Sequence, residues 1–394
     1  MCTTRISDAG LVHLSELRSL KALNLGNRGA GMKITDAGLD HIAKLTSLQR
    51  LDLPDGITDA GLAKLKGLTG LKRLDIGRTK MTGAGLGFLE ALKSLEYLQL
   101  PSDITDKDLV VVKKLSSLQE LWVQSSSITN KGLSYLSHLK SLRKLLLHCE
   151  QTDLNVAITS SGLAYLRELP LTSLTLNNIK LDDSRLTHLA AFTQLEELQL
   201  QQMPLRDEDM SNLSGLKNLK FLHFDSDTVS DGGLAYLADL TSLERLMAFV
   251  RMTDKGLSYI SNMSNLQDLQ VKGDITDEGL VHLEGLKSLQ LLTITSRNDI
   301  ASESLERLKK KLPLLWLKVY RSRETKSRPK IGEVAPLFSL QTLDGKKLKL
   351  EDYHGKCVLL YFWATWCSPC IASTPNVKKF CNMLKPLICD FAVV

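Results

Sequence analysis

Cys367 and Cys370 stand in the stretch Trp366-Cys367-Ser368-Pro369-Cys370, the place where this chain could do covalent chemistry. The apolar run Cys357–Ala364 before it reads as a buried strand, and a helical stretch follows to about Leu384. A thiol in the first turn of a helix faces free backbone N–H groups and the positive end of the helix dipole, which stabilise its thiolate. Cys367 would then be the nucleophile, and Cys370, one turn deeper, would attack the mixed disulfide and release the substrate. Pro369 suits the first helical turn, where its missing N–H costs nothing, and Trp366 and Ser368 complete the supporting turn.

Cysteine usage is lopsided. Of seven cysteines, only Cys2 and Cys149 lie early, while Cys357, Cys367, Cys370, Cys381 and Cys389 crowd the end of the chain. A zinc site built from Cys367, Cys370, Cys381 and Cys389 would need a zinc-ribbon context, whereas these sit on a turn, a helix and a strand. Burial suits Cys357, Cys381 and Cys389. His13, His41, His138, His188 and His282 occupy helix positions without a ligand-spaced partner, so neither metal nor cofactor is expected.

The elements that would position the cysteine pair begin at Ile331. Phe338–Leu350 alternates apolar and polar residues around Asp344-Gly345, a strong hairpin signal, and Ile388–Val394 reads as a further strand. Gly332, Ala335-Pro336, Phe338, Asp344-Gly345-Lys346, Asp352-Tyr353, Gly355-Lys356, Phe362-Trp363-Ala364-Thr365-Trp366-Cys367, Pro369-Cys370 and Pro375 together resemble TlpA/ResA-type thioredoxin-like proteins of the redoxin group. The resemblance implies a thioredoxin fold that exchanges dithiol and disulfide, often on the outer side of the cytoplasmic membrane. Tyr361 stands where thioredoxin itself has a buried acid. The family's remaining elements, including a cis-proline strand, would follow Val394, so residues 331–394 read as the front half of such a domain. A peroxiredoxin would want one cysteine after a P-x-x-x-T-x-x motif, and it stays open as an alternative.

Most of the chain repeats one phrase, Ile57-Thr58-Asp59-Ala60-Gly61-Leu62, with near-copies at Ile6, Ile34, Met81, Ile104, Ile128, Ile158, Leu181, Leu205, Val229, Met252, Ile275 and Ile300. The steps are mostly 23 or 24 residues, within the roughly 20–29 of a leucine-rich solenoid. Leu51 and Leu53 alternate as on a strand, and Leu62, Leu65 and Leu68 give a short helix an apolar stripe. Thr58 is expected as the helix N-cap, Ile57 and Leu62 as a hydrophobic staple, and Asp59 as an acid favoured by the helix dipole. The pattern resembles leucine-rich repeats of the ribonuclease-inhibitor and F-box-associated kind. Gly56, Thr79, Asp103, Ser126, Asp227 and Asp274 stand where many such proteins carry a laddering Asn, so no internal Asn ladder is expected. No strand precedes the first helix, and that edge is expected to be met by something outside this sequence, or else the chain is a fragment.

Solenoids bind through the concave face, lined by residues flanking the strand leucines. Trp122, Leu146 and His148 form one candidate cluster there, with the long connection 149–156 at its edge, and Phe221, His223, Met247 and Phe249 form a second. The +6 net charge arises after residue 320, much of it in the linker Arg321–Lys330, which gives no basic face for nucleic acid. No apolar run spans a membrane, and no signal peptide is visible at Met1.

The expected fold class is α/β: a leucine-rich-repeat horseshoe over residues 1–320 with about thirteen repeats, a linker at 321–330, and a truncated thioredoxin-like βαβ unit at 331–394. The function expected is a protein-binding scaffold joined to a thiol-disulfide oxidoreductase site, with a protein partner or a protein thiol/disulfide substrate. The alternative is an interaction scaffold whose redox remnant is inert.

Overall fold

A computed structural model describes residues 6–26, 33–125, 127–149, 158–321, 339–341 and 347–353. The chain divides into two compact units, Met1–Arg323 and Glu324–Val394. Among the described residues of the first unit, thirteen strands form one parallel sheet in strict chain order, from Ala22–Asn24 to Trp316–Arg321. Parallel neighbours need a crossover, and here each crossover is a short α- or 3-10-helical segment such as Asp59–Ala63 or Asn130–Leu136. Segments this short do not persist alone in water; tertiary packing of their apolar faces holds them.

The register explains that packing. Leu51, Leu74, Leu98 and Leu121 are partners across successive strands, and all four are fully buried. Ile57, Leu62, Leu65 and Leu68 close over them from the helical layer, each with no exposure, which includes the expected staple pair. A strand or a helix from one repeat has nowhere to bury its leucines, so the stack is the core. This is the α/β repeat solenoid that the period implies.

The phrase itself does more than start helices. Asp36 Oδ1 accepts from the Thr58 N–H at 2.8 Å and Asp36 Oδ2 from the Thr58 hydroxyl at 2.5 Å. Asp8 does the same for Thr35, Asp59 for Thr82, Asp106 for Thr129, Asp207 for Ser230, Asp231 for Thr253 and Asp254 for Thr276. Asn130 substitutes before Thr159, accepting from its N–H and donating to its hydroxyl. The acid expected to serve the helix dipole therefore ties each repeat to the next. The N-cap expectation changes accordingly. The hydroxyls of Thr35, Thr82, Thr129, Ser230 and Thr253 accept from the N–H two residues on, but Thr58 makes no such bond. The hydroxyl proton goes to the preceding repeat in every one of these.

Glycine in the phrase follows from this latch. A Cβ on Gly61 would overlap Asp36 Oδ1 and lie 2.8 Å from its Cγ, and Gly38, Gly85, Gly132, Gly256 and Gly279 meet the corresponding acid. Two places depart from the pattern. Gly83 replaces the acid, and Asp108 fills the space from the following repeat, accepting from the Thr105 N–H and hydroxyl at 2.7 and 2.8 Å. Farther on, Asp182 accepts from Ser160, Ser161 and Ser184, whose hydrogen bonds outweigh the upward push of burial and depress its pKa far below the usual carboxylate range. Arg185, at φ 43°, clamps the buried Asp209 with its Nε and Nη2.

In the second unit, Ser339–Gln341 pairs antiparallel with Lys347–Lys349, Ser339 opposite Lys349, as the Asp344-Gly345 hairpin signal requires. Residues 342–346 between the strands lie outside the described residues. So do residues 1–5, on which the uncovered first edge turns, and linker residues 322–330. Among the described residues no helix is long and apolar enough to cross a membrane.

Candidate functional site

In each strand alternate residues, mostly leucines such as Leu145 and Leu147, point into the core, so the residues between them, Leu146 included, must line the open face of the sheet. Register then decides which of them meet. Trp122 lies beside Leu146 and Gln99, and His148 beside Gln124 and Asn177. His223 lies beside Met247 and Gln199, Phe221 beside Arg245, and Phe249 beside Asp225. The seven face residues thus fall into the two expected groups, and all seven are half-buried. Two polar strands, Ser173–Asn177 and Glu197–Gln201, separate the groups. Crossing from the strand of Leu146 to that of Phe221 takes three steps, about 14 Å.

The first group is tied to residues outside the expected set. Trp122 Nε1 donates to Glu120 Oε1 at 2.7 Å, which fixes the indole on the face. Its ring centroid lies 6.0 Å from that of Tyr97, and the Arg73 guanidinium sits 3.3 Å over the Tyr97 ring. Burial pushes the Tyr97 hydroxyl up to about 12, with Arg73 pulling the other way. Arg73, Tyr97 and Trp122 form one connected group across three strands, the two rings tilted by 56°, of the kind that anchors interfaces. Arg73 and Tyr97 flank strand leucines as Trp122 does, so the same positional rule could have found them.

In the second group His223 lies between two phenylalanines. Phe221 is stacked at 6.4 Å with an interplanar angle of 21°, and Phe249 meets the ring edge-on at 5.8 Å. Arg245 covers Phe221 at 5.2 Å and pairs with Asp268 at 3.3 Å. Burial lowers the His223 pKa, opposed by the charge of Asp225. Gln201 Nε2 lies 3.0 Å from His223 Nδ1, so the amide donates and the neutral ring carries its proton on Nε2. The same amide group donates to Gln199 Oε1 at 3.0 Å, and Asn177 Nδ2 donates to Gln201 Oε1 at 3.2 Å. A hydrogen-bonded run of amides therefore joins His223 to the polar strands. Amides at the face positions of consecutive repeats are the signal for it, lying between the aromatic and apolar candidates.

Cys367 and Cys370, with Trp366, Ser368 and Pro369, lie outside the described residues, as do residues 150–156 of the long connection beside His148. Cys149 is buried, and burial raises its thiol pKa, which keeps it protonated and unreactive.

Comparison with known proteins divides the chain in the same manner. A model described as leucine-rich repeat region matches residues 1–235, and the AhpC/TSA family model matches residues 331–394. The tail is 56% identical over 48 residues to the thioredoxin-like protein YneN of Bacillus subtilis, covering 12% of this chain and 28% of that protein. It is 48% identical over 60 residues to the thiol-disulfide oxidoreductase ResA of Bacillus cereus, covering 15% of this chain and 34% of that one. The chain thus spans about a third of the length of these curated relatives. Among solved structures, an internalin of Listeria monocytogenes aligns over 80% of this chain and 95% of its own, with a TM-score of 0.52 and 22% identity. That likeness is one of fold: a parallel-sheet solenoid.

Proposed function

We propose that this chain, which belongs to the leucine-rich repeat family, couples a protein-binding sheet face to a thiol-disulfide exchange site at Cys367 and Cys370. The observation that carries the second half is the sequence Trp366-Cys367-Ser368-Pro369-Cys370 within the segment matched by the AhpC/TSA model. The Cys367 thiolate attacks one sulfur of a substrate disulfide, forms a mixed disulfide and expels the other sulfur as thiolate. Cys370, as thiolate, then attacks Cys367 Sγ, frees the second substrate thiolate and leaves a Cys367–Cys370 disulfide. Two electrons pass to the substrate, and the reverse sequence oxidises a dithiol.

The sheet face supplies the partner or substrate protein. Its two aromatic groups offer anchors that bury apolar area, and the amide run between them offers donors and acceptors to an extended backbone.

The test is alkylation on a protein carrying the full length of the matched domain. After reduction, Cys367 reacts with iodoacetamide at neutral pH faster than Cys357, Cys370, Cys381 and Cys389, and oxidation protects the pair. Equal alkylation of all five, with no protection on oxidation, refutes the exchange site and leaves the scaffold reading. Under that reading Trp122→Ala and Phe249→Ala weaken partner capture with no redox counterpart.

A further inference from the structure

The last strand, Trp316–Arg321, and the turn leading into it carry a surface unlike the rest of the solenoid. Leu314 is 82% exposed, Trp316 65%, Tyr320 54% and Val319 38%, all within seven residues. Elsewhere Tyr165, Tyr236 and Val281 stand singly in distant repeats, and Val12 and Leu17 lie five apart in the first, both less exposed than Leu314 or Trp316. Trp316 and Tyr320 share the open side of the last strand, with Leu314 on the turn before it and Val319 on the opposite side, and such a grouping has to be explained by what it meets.

Cations flank these residues in the chain. Lys309, Lys310 and Lys311 end the helix Ser302–Lys311, immediately before the turn, and Lys318 and Arg321 lie on the strand. Glu306 holds Lys309 at 2.9 Å, and Asp299 holds Arg321 at 3.1 Å. Lys310 and Lys311 have no carboxylate partner among the described residues, and Lys318 Nζ lies 4.2 Å from the centre of the Trp316 ring. This end of the described sheet therefore carries Lys318 against Trp316, and Lys310 and Lys311 at the end of the preceding helix, with no ion pair of 4 Å or less to any of the three among the described residues.

We propose that this end docks on an anionic bilayer surface. Leu314 and Trp316 enter the boundary between headgroups and acyl chains, and Lys310, Lys311 and Lys318 reach lipid phosphates with their ammonium groups. Charge complementarity favours an anionic surface, and Leu314, 82% exposed on the turn before the strand, can enter lipid without a preformed pocket. Tryptophan and tyrosine with their polar tips, and lysines on long apolar stems, are the side chains that settle at such a boundary.

The experiment is cosedimentation of the full chain with phosphatidylcholine vesicles, with and without phosphatidylglycerol. Association with the phosphatidylglycerol vesicles alone, weakening as salt rises, is expected. So is a blue shift of indole emission that Trp316→Phe removes. Replacing Lys310, Lys311 and Lys318 together with Gln lowers partitioning about 100-fold, at about 1 kcal/mol for each lysine near an anionic surface. The variant Leu314→Ser with Trp316→Ala also loses binding; both positions are exposed, and circular dichroism checks that its fold is kept. Absence of association, equal association with both vesicle types, or binding untouched by the Leu314 and Trp316 changes overturns the proposal.

Discussion

Gly61→Ala and Gly67→Ala make the same chemical change in the same repeat, in consecutive helical segments, and should differ sharply. Neither glycine has a positive φ, so backbone strain does not separate them. At Gly67 nothing lies within 4 Å of an added Cβ, and the substitution should be neutral or stabilise by up to about 1 kcal/mol through lower chain entropy in the unfolded state. At Gly61 the new methyl overlaps Asp36 Oδ1 and lies 3.0 Å from Leu39 Cδ1. The carboxylate must leave, and both of its bonds to Thr58 go with it. Hydrogen bonds to charged groups contribute roughly 1.5–3 kcal/mol each, and these are exposed, so about 2–3 kcal/mol is lost for the pair. The entropy gain returns up to about 1 kcal/mol, leaving a net loss of about 1–3 kcal/mol. Urea unfolding followed by circular dichroism reads the difference in midpoint, with the slope checked for loss of two-state behaviour in a repeat array. Asp36→Ala in the Gly61→Ala background supplies the decisive comparison. Once the carboxylate is absent, the nearest remaining contact of the methyl is the movable end of Leu39, so the two losses should fall short of additivity by about 2–3 kcal/mol, the energy of the shared pair of bonds. Additive losses, or a Gly61→Ala as benign as Gly67→Ala, would refute the latch.

Two further outcomes follow from the same geometry and from the face. Gly83→Asp alone should destabilise, because its side chain meets the Asp108 carboxylate, whereas Gly83→Asp with Asp108→Ala should recover most of the loss by restoring an acid to the preceding repeat; urea midpoints decide. For His223, burial lowers the folded pKa below an unfolded value of about 6.5, so the unfolded state binds the proton first as pH falls. Stability is then full above about pH 6.5 and declines below it, and His223→Gln should flatten that decline in urea midpoints taken from pH 7.5 to 5.

The repeat architecture was legible because a period of 23 or 24 residues with paired leucines admits few structures. The two face clusters were legible for a related reason. Positions two apart on a strand share a side, and an in-register parallel sheet carries that side across repeats, so Trp122 had to stand beside Leu146. Harder to read was the latch. Asp59 and Thr82 are separated by one period, and nothing local shows that the acid reaches forward rather than serving its own helix. The amide run was missed because Asn177, Gln199 and Gln201 look like ordinary solvated residues until their register is known. The cysteine motif at residues 366–370 is different in kind: it is local, so the exchange chemistry proposed for it needs no knowledge of register.

Reciprocity of the latch bears on how such an array can change length. A repeat that receives at its threonine and supplies at its aspartate presents the same two ends as its neighbours. Excise one period between Thr58 and Thr82, and Asp36 meets Thr82 with the group it offered Thr58. The segments around Gly83–Asp108 and Asp182–Asp209 are not interchangeable in this sense, since each depends on a compensating group from one particular neighbour. Duplication and loss should therefore be tolerated within the regular blocks and resisted at these two joints, which act as fixed landmarks for the face residues between them.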